Sequence, residues 1–263
     1  MKKAMVAVSI VTVALVFLMG LMGLPPAFAA EGRPVVLFDQ THSQFFSIEK
    51  DGDLNLSGLA SVFREARYEV RSRELGRLTD ETLAGVDLLV ISGPFATIDL
   101  DDADSIVSFV ERGGGLAVMA HISPPLMILL DRLGMAASSG SLRETEDVIG
   151  GDAKKFFVTR LAPHPLTKGM SRFAVHGAWG LRVIGGTGAA IAFTSAGAWV
   201  DVDGGGVRDA GEEGGEYAVA VAGVLGKGRF VVFGDDAIFQ NAYLRDENAR
   251  LAANLAAWLK PGK

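Results

Sequence analysis

Hydrophobic residues in the first half of the chain form two alternating patterns. Residues 35–38, 87–91 and 116–120 are short apolar runs, which are typical of buried parallel strands. Residues 54–66 and 99–112 carry apolar side chains at helical spacing between those runs, and a proline pair opens a further helix that ends near residue 133. This alternation predicts a parallel sheet with helices on both faces.

The pattern changes after about residue 138. Segments 156–159, 181–184, 191–194 and 217–224 have the character of strands, with glycine-rich turns and little helix between them. A hairpin turn at 226–228 leads to a strand over 229–233, and residues 244–259 form a closing amphipathic helix. We therefore predict an antiparallel β extension in the C-terminal half rather than an independent domain.

The N-terminal residues have the features of a targeting segment. Lys2 and Lys3 precede an apolar run, residues 5–24, and Ala27-Phe28-Ala29 matches a signal-peptidase site. The run is long enough to span a bilayer, so an uncleaved anchor is the alternative. The proline pair and the cleavage site favour a signal peptide over residues 1–29. We expect one soluble domain over residues 30–263, periplasmic or extracellular, with no stable membrane span after cleavage.

Composition excludes several classes of function. The formal net charge is −6, and signal cleavage would remove two lysines and no acid. An acidic chain argues against nucleic-acid binding, which needs a basic face. The chain has no cysteine, which excludes disulfides, thiolate nucleophiles, cysteine zinc sites and a lipid anchor on cysteine.

Residues 201–212 have nearly the spacing of a calcium-binding loop. Asp201, Asp203, Asp209 and Glu212 stand at loop positions one, three, nine and twelve, and Val207 can offer its carbonyl at position seven. Glycine stands at position six, where the chain must turn sharply, but also at position five, where a ligand is expected. Predicted strands flank the loop, so it is no helix-loop-helix motif. We predict a structural calcium ion here; the alternative is a solvated acidic hairpin turn.

Polar residues follow the predicted parallel strands, whose carboxyl ends meet at one edge of an open sheet. They are Asp39 with His42, Ser92, His121 with Ser123, and Asp235 with Asp236. We expect Asp39, His42, Ser92, His121 and Asp235 to line one ligand crevice. The alternative is structural: helix capping by the serine and the aspartates, and local hydrogen bonds by the histidines.

Four stretches together are similar to the class I glutamine-amidotransferase-like superfold, and within it to secreted bacterial domains of uncharacterised function. The stretches are residues 34–42, residues 113–121, residues 164–169, and residues 226–235 ahead of the last helix. The resemblance implies a flavodoxin-like or amidotransferase-like parallel sheet with helices on both faces and an antiparallel β extension. Because the chain has no cysteine for the nucleophile and Gly234-Asp235-Asp236 replaces the His-x-Glu motif, glutamine hydrolysis by that triad is excluded.

These observations predict a secreted or periplasmic, non-catalytic domain that binds a ligand or partner and has a calcium-stabilised loop. A small molecule, a carbohydrate or an envelope protein would suit that location, and the residues select none of them. The alternative is a hydrolase in which His121, with Asp39 or Asp235, activates water. A third possibility is a scaffold domain of a larger envelope complex.

Overall fold

The structure, a computed structural model, describes residues 32–261. The predicted signal peptide, residues 1–29, lies outside the described residues. From Arg33 onward the described residues form one compact unit. No helix in the described part of the chain is both long enough and apolar enough to cross a membrane.

Residues 32–261 contain fourteen β-strands and four α-helices. The first five strands are β1 (Val35–Asp39), β2 (Glu69–Arg73), β3 (Leu88–Ser92), β4 (Gly115–Met119) and β5 (Met135–Arg143). The next five are β6 (Val148–Ile149), β7 (Asp152–Val158), β8 (Arg160–Leu161), β9 (Phe173–His176) and β10 (Trp179–Val183). The last four are β11 (Ala189–Phe193), β12 (Trp199–Asp201), β13 (Ala218–Leu225) and β14 (Gly228–Phe233). The helices are α1 (Ser57–Glu65), α2 (Leu100–Glu111), α3 (Met127–Arg132) and α4 (Asp246–Trp258).

Eleven of the strands form one mixed sheet. Its parallel part runs in the order β2-β1-β3-β4-β14, and its antiparallel part continues from β14 as β13-β10-β5-β12. Strand β11 pairs with β13, and β8 pairs with β11, both antiparallel. Strands β6, β7 and β9 form a separate antiparallel sheet.

The predicted fold class, a flavodoxin-like or amidotransferase-like parallel sheet with helices on both faces, is wrong. The regular elements of the described residues are mostly β-strands with few helices, and the large sheet is mixed. Its antiparallel strands are hydrogen-bonded members of that sheet rather than an extension added to it. The apolar runs that suggested a helix-covered parallel sheet account for β1, β3 and β4, which are three of the eleven strands of that sheet.

The individual apolar runs of the first half do form buried strands. Every residue of β1, β3 and β4 is buried. Alternate side chains of these strands enter two hydrophobic clusters. Phe38 and Val90 belong to the cluster that contains Phe63 of α1, and Leu89 belongs to the cluster that contains Phe109 of α2. Each such buried side chain contributes about 1.5–3 kcal/mol through the apolar surface removed from water.

The sheet changes from parallel to antiparallel pairing at β14. On one side β14 runs parallel to β4, with Phe233 opposite Met119, and on the other side it runs antiparallel to β13. The carboxyl ends of β4 and β14 therefore lie side by side. The backbone N–H of Trp179, at the start of β10, donates to the Gly234 carbonyl just after β14, at 2.7 Å. Three chain segments thus meet at this point of the sheet.

Candidate functional site

His121 and Asp236 form a pair at the carboxyl ends of β4 and β14. Each follows its strand by two or three residues, and the paired ends of the strands bring the two side chains together. The His121 Nδ1 atom lies 3.0 Å from Asp236 Oδ1. The Trp179 indole N–H donates to the His121 carbonyl at 3.0 Å, which fixes the backbone of the histidine. The hydrogen bond with Asp236 raises the pKa of His121 above its usual value.

Asp235 lies directly beside this pair and is buried. Its Oδ2 accepts from the backbone N–H of His176 at 2.5 Å, and its Oδ1 accepts from the N–H of Ala237 at 2.9 Å. Burial, and next the neighbouring Asp236 charge, raise the pKa of Asp235 to about 7. Burial also raises the pKa of Asp236. The raised pKa values show that two negative charges on these adjacent carboxyl groups are electrostatically unfavourable here.

Two polar atoms in this group are buried without a hydrogen-bond partner among residues 32–261. They are Oδ2 of Asp236 and Nδ1 of His176. The His176 ring stacks on Tyr243, with centroids 3.7 Å apart and planes 20° apart. Burial lowers the pKa of His176 to about 4, so its imidazole is neutral at pH 7. An unsatisfied buried polar atom costs about 1–3 kcal/mol, and native folds keep few of them.

These side chains line one end of a crevice of about 600 Å³. Aromatic side chains, hydroxyls, an amide, two lysines and four carboxylates share its wall. They are Phe46, Trp179, Tyr243, Ser139, Ser141, Gln240, Lys154, Lys155, Asp201, Asp203, Asp235 and Asp236, together with His121 and His176. The volume lies in the range of small-molecule sites, and the mixture of rings and hydrogen-bonding groups is typical of them.

Because Gly93 has no side chain, it leaves room for the Asp236 carboxylate that pairs with His121. Its φ is +57°, in the left-handed region that favours glycine, and a Cβ atom built there would lie 2.5 Å from Asp236 Oδ2. The preceding residue, Ser92, ends β3 with its Oγ buried and unpartnered in the described part of the chain. Ser92 is not among the residues that line the crevice.

Asp39 and His42 form a second, separate cluster. His42 Nδ1 lies 2.7 Å from Asp39 Oδ2, and His42 Nε2 lies 3.1 Å from Asp102 Oδ2. Gln44 and Thr41 complete the hydrogen bonds of the Asp39 carboxylate. Burial alone would lower the pKa of His42, but the hydrogen bonds and charges of the two carboxylates raise it. Asp39 and His42 are buried and do not line the crevice, so the expected single rim divides into two clusters.

In the loop 201–212, three of the four acidic residues at calcium-loop positions lie close together. One carboxylate oxygen each of Asp201, Asp203 and Glu212 lie within 4.8 Å of one another. Asp209 is exposed and outside that group, and Val207 is 74% exposed. Gly206 has a φ of +79°, which agrees with a sharp turn at the sixth position. Three carboxylate oxygens at this separation are chemically suited to a hard cation.

Sequence reasoning missed the roles of two residues in the histidine cluster. Asp236 stood beside a predicted site residue, but nothing in the sequence indicated that it, rather than Asp235, bonds to His121. His176 was given no role in the predicted crevice, but it stacks on Tyr243 and lines the crevice. Its contact with Asp235 spans 59 positions and depends on pairing in the small sheet, which no local pattern reveals.

The fold and the crevice define a mixed-sheet domain with a polar crevice where two of its parallel strands end. The chain belongs to the family described as a domain of unknown function, DUF4350, whose model matches residues 54–256. No curated protein matches it. The family assignment shows that the resemblance to the glutamine-amidotransferase-like superfold, which we inferred from four sequence stretches, is wrong. Those stretches are turns and strand ends, and their sequence patterns have low specificity.

Solved structures with a similar fold have low sequence identity to the chain. The mmIFT52 N-terminal domain superposes with a TM-score of 0.69 at 16% identity, covering 87% of this chain and 98% of that one. The cytoplasmic protein STM1381 from Salmonella typhimurium LT2 gives 0.55 at 17% identity, with coverage of 86% and 99%. A protein from Bacteroides uniformis described as ThuA-like gives 0.53 at 12% identity, with coverage of 91% and 97%. At these identities the likeness concerns the fold alone.

Proposed function

We propose that this chain is a non-catalytic ligand-binding domain whose crevice takes a small, hydroxyl-rich molecule, with carbohydrates as the class to test. The observation that carries the proposal is the convergence of His121, Asp235, Asp236 and His176 at one end of a crevice of about 600 Å³. A concave site of this size suits a small ligand better than a protein surface.

The chemistry of the crevice wall favours a neutral or cationic polar ligand. Carboxylates outnumber lysines there, which disfavours an anion. Sugar hydroxyl groups can donate to carboxylates and accept from a protonated histidine or from Gln240. The rings of Phe46 and Tyr243 offer apolar faces against which the C–H face of a sugar can pack. These features together support a carbohydrate ligand more strongly than a protein partner.

The test is saturation-transfer NMR on residues 30–263 with a panel of neutral and amino sugars. We expect at least one sugar to bind, and His121→Gln to weaken that binding by about tenfold, because one good hydrogen bond to ligand corresponds to about 1.4 kcal/mol. Asp131→Asn is the matched control, since that carboxylate is 70% exposed and lies outside the crevice. Absence of binding at about 10 mM, or equal binding by His121→Gln, would contradict the proposal.

A hydrolase is the second candidate, and the His121–Asp236 pair is the observation that favours it. A carboxylate on Nδ1 orients the ring and leaves Nε2 as a general base, and Nε2 has no hydrogen-bond partner among residues 32–261. The expected partner of His121 was Asp39 or Asp235. The geometry instead supports Asp236, with Asp235 contributing its nearby charge.

Turnover separates the two candidates. A hydrolase should cleave p-nitrophenyl esters or glycosides, lose that activity in His121→Gln, and gain rate as pH rises through the pKa of His121. A binding domain should bind sugars and show the same background hydrolysis in the wild type and in His121→Gln. A periplasmic or extracellular location stays a prediction from the first 29 residues.

A further inference from the structure

The loop 201–212 contains three carboxylates that converge with incomplete charge compensation. Asp201, Asp203 and Glu212 each place an oxygen within 4.8 Å of the other two. Within residues 32–261 the side chain that forms an ion pair with this group is Arg143, which contacts Asp201 at 2.6 Å. The charge of Lys154 also acts on Asp201. Three carboxylates against these two cations still leave an excess of negative charge that a divalent cation would neutralise.

A second observation points to a ligand at the same place. The Asp201 side chain is fully buried, and Arg143 holds its Oδ2. Its Oδ1 is buried and has no hydrogen-bond partner in the described part of the chain. A carboxylate oxygen is a strong acceptor, and one buried without a donor is stabilised when a cation binds it.

The other two carboxylates are held in position by backbone donors. Glu212 accepts from the N–H of Val202 at 2.8 Å with Oε1 and from the N–H of Asp209 at 3.0 Å with Oε2. Asp203 Oδ1 accepts from the N–H of Gly205 at 2.7 Å. Carboxylate oxygens have further lone pairs after one such bond, so both groups remain able to ligate. The site is therefore organised in advance by the loop.

We propose that Asp201, Asp203 and Glu212 bind a calcium ion. All three donors are hard carboxylate oxygens, and neither histidine nor cysteine is in the group, which disfavours zinc. A loop with several glycines tolerates the irregular, high coordination of calcium better than the strict octahedron of magnesium. The proposed ligands are fewer than the sequence spacing implies, because Val207 and Asp209 lie outside the converging group.

Isothermal titration of residues 30–263 with calcium chloride tests the site. We expect a dissociation constant of about 0.1–1 mM, the range of extracellular calcium modules, and weaker binding of magnesium. Asp203→Asn should weaken calcium binding at least tenfold. Because Asp203 is exposed and asparagine keeps the oxygen that accepts from Gly205, this variant should fold normally.

Asp209→Asn is the matched control, since it removes one exposed carboxylate of the same loop outside the converging group. Calcium affinity of that variant should stay within about twofold of the wild type. No calcium binding at about 10 mM, or equal weakening in Asp203→Asn and Asp209→Asn, would overturn the proposal and indicate only the diffuse attraction of an acidic loop. Because Asp201 and Asp203 also line the crevice, the sugar test is run both with calcium and with chelator. The calcium titration has its own readout, so failure of either proposal can be recognised separately.

Discussion

Replacing His42 with alanine removes an imidazole that lies between two buried carboxylates. The ring is 2.7 Å from Asp39 and 3.1 Å from Asp102, and its side chain is 6% exposed. Asp39 keeps its bonds from Thr41 and Gln44, and Asp102 keeps its bond from Arg77. Both carboxylates lose their only buried, positively charged neighbour within the described residues.

The free energy of unfolding should fall by about 3–5 kcal/mol, because removing one member of a buried charged network leaves uncompensated charge. In a domain of this size each kcal/mol lowers the melting temperature by about 2–4 °C, so the expected loss is about 10 °C. Urea unfolding followed by circular dichroism measures the difference. Sugar binding by the folded variant should be unchanged, since His42 does not line the crevice.

The loss should depend on pH in a defined direction. The pKa of His42 is raised in the folded state, so its stabilisation is fully present below about 6.5 and is lost as pH rises through the folded value. Although burial alone would raise the pKa of Asp39, His42 and Thr41 lower it, so its stabilisation is present above about 3.8. The difference between wild type and His42→Ala should therefore be greatest between about pH 4 and pH 6.5.

A second histidine provides the control for that pH profile. Burial lowers the pKa of His164, so the stabilisation that it provides should grow, not shrink, as pH rises through the histidine range. His164→Ala should accordingly show the opposite trend. If the effect of His42→Ala were below about 1 kcal/mol, or constant from pH 5 to pH 9, the structural interpretation of this cluster would be refuted.

Three further substitutions test the crevice and the loop. Burial, and next the charge of Asp236, raise the pKa of Asp235 to about 7, so ionised Asp235 destabilises the fold increasingly as pH rises from about 3.8 to 7. Asp236→Asn removes the neighbouring charge and should raise the free energy of unfolding by about 1–2 kcal/mol at pH 8, and by less at pH 5, in urea unfolding. Arg143→Ala should destabilise by about 3–5 kcal/mol, and millimolar calcium should raise its melting temperature more than that of the wild type. Gly93→Ala should cost about 2 kcal/mol and weaken sugar binding, whereas Gly85→Ala, with a φ of +74° and open space around it, should show the backbone strain alone in both assays.

Three strands of the parallel part, β1, β3 and β4, could be predicted because they are buried on both faces. Residues in β1, β3 and β4 enter the two hydrophobic clusters alternately, so every position is apolar and the runs are conspicuous. The ends of the helices between these strands could also be predicted, since glycines follow α2 and prolines precede α3. Local composition and local structure agree in this part of the chain.

The fold class could not be predicted because β5 carries no such signal. Its residues Met135–Arg143 are mostly alanine, serine and glycine, with no apolar alternation. Pairing with β10 and β12 makes it a strand, and these partners lie 38 or more positions away. Gly140 shows how tightly the strands meet, since a Cβ atom there would lie 2.1 Å from the Asp201 carbonyl. Small residues that let neighbouring strands approach closely show no alternation of apolar and polar positions, so the sequence pattern does not reveal the strand.

The candidate site was partly predictable for a related reason. The carboxyl ends of parallel strands meet at one edge of a sheet, and this rule predicted that His121 and Asp235 lie near each other because it depends on sheet direction alone. It could not distinguish them from Asp39, which also ends a parallel strand. That distinction depends on Asp102, which is 60 positions from His42 and satisfies the second ring nitrogen.

The two clusters differ in how completely their hydrogen bonds are satisfied. Each oxygen of Asp39 accepts at least one bond, and His42 uses both ring nitrogens, so the cluster has no capacity left for a ligand. The crevice cluster instead keeps two adjacent buried carboxylates, an unpartnered Oδ2 on Asp236 and an unpartnered Nδ1 on His176. Like charges and unmet acceptors of this kind reduce stability by several kcal/mol together, and a sequence selected for stability alone would replace them. Their retention beside the crevice supports the proposed ligand site, because carboxyl groups with perturbed pKa values are concentrated at functional sites.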